Sequence, residues 1–118
     1  KVGLLDEKYF MYCEDTDLCI RLMQNNIKIK YIPSAKLWHK VSSSSGDSNS
    51  PFCIYYITRN RLLYLKKYTG FFHKTAYMFS LISRYIRLLQ CKDIEKKDAY
   101  MRAIRDADVG KNGKSSNY

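Results

Sequence analysis

The chain changes its hydrophobic period at two places. Leu18, Cys19, Leu22 and Met23 recur at i, i+1, i+4 and i+5 behind an acidic start, Glu14, Asp15 and Asp17. That spacing predicts a helix opening at 14–17 and stopping at Asn25–Asn26. "IKIKYI", residues 27–32, alternates apolar with basic positions and predicts a half-buried strand. Pro33-Ser34 breaks it, and "AKLWHKV", residues 35–41, predicts a second short strand. Residues 1–13 read as a loop or turn followed by a short extended piece. "SSSSGDSNSP", residues 42–51, has the composition of a flexible linker or mobile loop and is the clearest boundary. Beyond it the pattern is helical: about Pro51 to Tyr68 with Pro in the first turn, then Phe71–Leu89 after Gly70, then Asp93 to about Ala107. The last helix has acids at its start and Arg102 and Arg105 near its end, as the helix dipole favours. The tail "GKNGKSSNY" is expected to be disordered.

At 118 residues the chain is long enough for one small domain with a core. Its net charge is +10, and the distribution matters more than the total. Residues 1–50 hold seven Lys/Arg against six Asp/Glu, whereas 51–118 hold fourteen against five. A basic back half points to an anionic counterpart, either nucleic acid or lipid headgroups. The four cysteines lie among apolar neighbours without CxxC spacing, which fits small buried hydrophobes better than disulfides or a zinc site. The apolar stretch Gly70 to Gln90 is interrupted by His73, Lys74, Arg84 and Arg87 and is not expected to span a bilayer.

The acidic cluster supports two readings. Carboxylates in a first helical turn stabilise unpaired N–H groups and the dipole, by roughly 0.3–1 kcal/mol each. Asp17 and Arg21, four apart, can pair on the surface. A general base, however, also needs an ionised carboxylate on a rigid backbone, and a helix N-terminus provides both. His39, on the second expected strand, could return to the same sheet edge as a metal ligand, or serve as an ordinary structural histidine.

"YCEDTDLCIRL" resembles the ED-x-DL-x-x-R signature of family 2 glycosyltransferases with the GT-A fold. Upstream, "VGLLDEKYF" resembles that family's acceptor-side segment. Downstream, "NNIKIKYIPSAKLWHKVSSSSG" and "SPFCIYYITRNRLLYLKKY" resemble its strand–histidine segment and the YY-x-x-RN helix of the bacterial rhamnosyltransferase-like branch. "AIRDADVGKNGK" is similar to its closing segment. Leu4 and Asn26 stand where the family usually has glycine, and Asn tolerates a left-handed backbone. The resemblance implies an α/β fold for residues 1–50, the C-terminal portion of a GT-A catalytic domain, with a basic, mainly helical extension at 51–118. It implies an inverting transfer from a nucleotide-sugar donor to a glycan or lipid-linked acceptor. Asp15 would be the catalytic base. Glu14 and Asp17 would bind or orient substrate. His39 would help hold a divalent metal, Mn or Mg, and Arg59 could reach a donor or lipid phosphate. The Ser-rich loop after His39 would close over the nucleotide. The family's nucleotide-binding half and its metal-binding DxD would precede this region, so the chain is expected to be a fragment with little activity alone. The only D-x-D strings here are Asp15–Asp17 and Asp106–Asp108.

The helical half mixes Tyr55, Tyr56, Tyr64, Phe71, Phe72 and Phe79 with Arg59, Arg61, Lys66, Lys67, Arg84 and Arg87. Tyr and Phe suit a membrane interface, and basic side chains suit anionic lipid. The expectation is a cytoplasmic protein peripheral to the inner face of the membrane. Nucleic acid is a weaker partner because no reading motif is present. The rival to a transferase fragment is a standalone basic helical module binding membrane surface or nucleic acid.

Overall fold

The computed structural model describes residues 2–38, 47–90 and 92–117. Four helices appear in chain order: α1 (Glu14–Gln24), α2 (Pro51–Tyr68), α3 (Phe71–Gln90) and α4 (Ile94–Asp108). The helix bounds follow the periodicity to within a residue or two.

No strand occurs among the described residues, which overturns the expected α/β fold of residues 1–50. Residues 27–38 run without strand pairing and are exposed throughout, with Ile29 and Tyr31 facing solvent. The physical reason is that an alternating pattern describes a face, and a face becomes a strand only when a second strand satisfies its backbone. The described chain offers none. Val41 and the loop residues 42–46 lie outside the described residues.

Each helix end has an identifiable stop. α1 closes in a Schellman motif: Ile27 N–H donates to Leu22 O at 3.0 Å and Asn26 N–H to Met23 O at 3.0 Å. Asn26 takes φ 57, the left-handed position where asparagine is tolerated. Ser50 caps α2 by accepting from Cys53 N–H at 3.2 Å, with Pro51 in the first turn. Asp93 caps α4 by accepting from Lys96 N–H at 3.1 Å, and the same bond lowers the Asp93 pKa.

α2 is the central element. Cys53 to Tyr56 and Thr58 to Asn60 are buried, so its first half is enclosed on all sides. α4 packs on it through Ala99, Ala103 and Ala107, all at most 1% exposed. Small residues at i, i+4 and i+8 form a shallow ridge that lets the helix axes approach closely. Tyr100 fills the remaining space and donates from its hydroxyl to Leu81 O at 2.7 Å. Lys66 reaches the C-terminus of α4, donating to Ala107 O at 2.8 Å and Asp108 O at 3.1 Å, where unpaired carbonyls favour a cation.

α3 is attached more lightly. Leu81 and Leu88 are its only buried residues, with Tyr77 and Tyr85 packed beside them. No helix among the described residues is long and apolar enough to cross a membrane. The tail is docked rather than disordered. Gly113 N–H donates to Lys8 O at 2.7 Å, and Ser115 N–H donates to the buried Tyr56 hydroxyl at 2.8 Å. Of the described cysteines Cys53 is buried, Cys13 half-buried and Cys19 exposed; burial pushes the Cys13 thiol up to about 11.

Candidate functional site

The three acids of α1 share one helical turn but occupy three different environments. Asp15 is exposed, and its Oδ1 accepts from Thr16 N–H at 2.7 Å and Thr16 Oγ1 at 3.2 Å. Glu14 is half-buried, and its Oε2 is shielded from solvent with no hydrogen-bond partner among the described residues. Asp17 is wholly buried.

Asp17 is the centre of a polar cluster joining α1, α2 and the N-terminal loop. Oδ1 accepts from Lys67 Nζ at 2.7 Å, Tyr68 Oη at 2.6 Å and Tyr9 Oη at 3.4 Å; Oδ2 accepts from Arg21 Nε at 2.7 Å. Burial pushes the Asp17 carboxyl up, but hydrogen bonds from Lys67, Tyr68 and Arg21 outweigh it and bring the pKa to about 2. Reciprocally, burial lowers and the Asp17 hydrogen bond raises the Lys67 pKa, with a net rise. Burial, then the Asp17 charge, raise that of Tyr9. Arg21 carries the cluster to the first residues, donating to Val2 O and Leu4 O.

The chain entering α1 is held in a conformation that L-residues seldom adopt. Phe10, Tyr12 and Cys13 have φ of 60, 68 and 72, each costing on the order of 1 kcal/mol or more. The clamp is Asn60 on α2. Its Nδ2 donates to Tyr9 O at 2.6 Å, Met11 O at 2.6 Å and Tyr12 O at 3.0 Å. Arg59 lies beside it, fully enclosed. Its Nη2 donates to Tyr9 O at 3.3 Å and its Nε to Asn60 Oδ1 at 2.9 Å. The guanidinium also stacks 4.9 Å from the Tyr56 ring centroid and 5.3 Å from that of Tyr55. Tyr55 in turn donates to Asp106 Oδ2 at 2.5 Å.

The structure therefore brings Glu14, Asp15 and Asp17 together with Arg59 through the loop at 9–13. It gives Asp17 and Arg59 internal partners and leaves Asp15 facing outward. His39, the expected metal ligand, lies outside the described residues. Among the described residues no group of three or more His, Cys, Asp or Glu is placed so that it could hold a metal ion. The sequence assigns no site role to Asn60, Tyr68 or Tyr9, and marks Lys67 only as one of the basic residues of the helical half. The signal for Asn60 was its position: an amide beside an arginine, following the apolar and aromatic first half of α2.

No family model and no solved structure matches the chain. Among curated proteins it is 38% identical over 52 residues to the rhamnosyltransferase WbbL of Escherichia coli, covering 44% of this chain and 19% of that protein. It is 46% identical over 46 residues to an N-acetylglucosaminyl-diphospho-decaprenol L-rhamnosyltransferase of Mycobacterium tuberculosis, covering 39% and 15%. It is 33% identical over 73 residues to the dTDP-rhamnosyl transferase RfbF of Shigella flexneri, covering 56% and 25%. The chain is thus similar over short stretches to rhamnosyltransferases, and spans a quarter or less of their length. That similarity supports a glycosyltransferase-like function at the level of reaction class.

Proposed function

We propose that the chain is part of a family 2 glycosyltransferase of rhamnosyltransferase type and carries its catalytic base. The observation that carries this reading is the separation of the three acids. Asp15 is open to solvent in the first turn of α1, while the loop before it is fixed by three carbonyl bonds from Asn60. A base must be free to meet substrate and yet held in place, and of the three acids Asp15 meets both conditions. Its carboxylate would take the proton of an acceptor hydroxyl as that oxygen attacks the anomeric carbon. The nucleoside diphosphate leaves from the opposite face, and the configuration inverts. The donor is a nucleotide-sugar and the acceptor a glycan or a lipid-linked sugar. Glu14, half-buried beside it, would orient the acceptor.

The test is sugar transfer by the enzyme carrying Asp15→Asn. Loss of a general base lowers turnover by roughly 10²–10⁴-fold, with stability lowered by no more than the roughly 0.3–1 kcal/mol of a first-turn carboxylate, because among the described residues the Asp15 side chain bonds to its neighbour Thr16. A variant within a few-fold of the parent rate removes Asp15 from the role.

A further inference from the structure

α3 presents a second, unpartnered apolar face. Phe71 is 75% exposed, Phe72 84% and Phe79 74%, and Ile82, Ile86 and Leu89 are each more than half exposed. Their spacing, i, i+1, i+8, i+11, i+15 and i+18, places all six on one side of the helix. That side is distinct from the Leu81–Leu88 side packed on the core. An open apolar groove of about 560 Å³ continues it toward α4, with Met78, Tyr85, Met101 and Ile104 among its walls.

The charges on α3 itself have one sign, and the groove beside it holds Lys66, Arg105 and Asp108. α3 contains no Asp or Glu in its 20 residues, while Lys74, Arg84 and Arg87 lie on the same helix and Lys92 follows it. We propose that α3 lies in the surface of an anionic phospholipid bilayer. The Phe-rich face would enter the headgroup–acyl boundary and the basic side chains would meet lipid phosphates. An interfacial helix needs a wide apolar face, aromatic side chains and cations without compensating acids, and α3 supplies all three. The proposal does not depend on the transferase reading, because it concerns binding alone.

The experiment is flotation of the full chain with vesicles of phosphatidylcholine alone and with phosphatidylglycerol added. Binding to the anionic vesicles, weakened by salt, is expected. Phe71→Ser and Phe72→Ser should each weaken it by about tenfold, the value of one phenylalanine withdrawn from apolar surroundings. Both side chains are exposed, so helical content and unfolding midpoint serve as controls and should not move. Absence of flotation on anionic vesicles at low salt overturns the proposal. So does flotation unaffected by the serine variants. So does a concentration-dependent dimer that both variants dissolve, since α3 would then seat a second copy.

Discussion

Asp17→Asn tests whether the most buried acid of α1 is a structural group. The substitution keeps the shape and removes the charge that meets Lys67, Arg21 and Tyr68. The Asp17 pKa falls from an ordinary 3.8 to about 2 in the folded chain. Each unit corresponds to about 1.4 kcal/mol. Lys67 is 43% exposed, so solvent screens part of its share, and a contribution of roughly 2 kcal/mol at neutral pH is the working figure. The folded pKa lies below the unfolded one, so this stability is present above about pH 4 and is lost as pH falls toward 2. Urea unfolding of parent and variant should therefore differ by roughly 2 kcal/mol at pH 7. The gap should shrink toward pH 2, where Asp17 is half protonated, and close below it, where a protonated Asp17 and an asparagine are both neutral. Comparing the two proteins at each pH cancels the titration of the other carboxylates. A gap below about 0.5 kcal/mol at pH 7, the value of an exposed ion pair, would refute the reasoning, as would a gap that does not change with pH.

Asn60→Ala removes the donor shared by Tyr9 O, Met11 O and Tyr12 O. Each buried carbonyl left unpaired costs about 1–3 kcal/mol; Arg59 still reaches Tyr9, so a loss of roughly 2–4 kcal/mol is expected. Amide exchange in residues 10–13 should accelerate before that of α4, and uniform acceleration would contradict the clamp. Ala103→Leu adds volume where α4 touches α2 and no space remains. It should cost about 1–3 kcal/mol in urea unfolding, and a neutral result would mean that the two helices are not in close contact.

The helices were legible in the sequence because their causes are local. Pro51, Asp93 and the acids of the first α1 turn mark starts, and Asn25–Asn26 marks a stop, by interactions that reach no more than a turn away. Asp15 at an exposed helix start was legible for the same reason. The alternation of residues 27–32 was equally plain, yet it made no strand, because a strand is decided by a partner and not by its own pattern. Arg59 and Asp17 look like surface charges in sequence. They are buried in the fold because Tyr9 reaches Arg59, and Lys67 and Tyr68 reach Asp17, from distant parts of the chain, while Tyr55 and Tyr56 cover Arg59 from the preceding turn of α2. Burial of a charge is a property of a set of partners, some of them about fifty residues away, and no local pattern encodes the whole set. The sequence alone therefore determined where the backbone would coil and which acids would stand at a helix start. Tertiary structure decided which of those acids holds the chain together and which is left exposed, because only packing brings the distant donors that distinguish them.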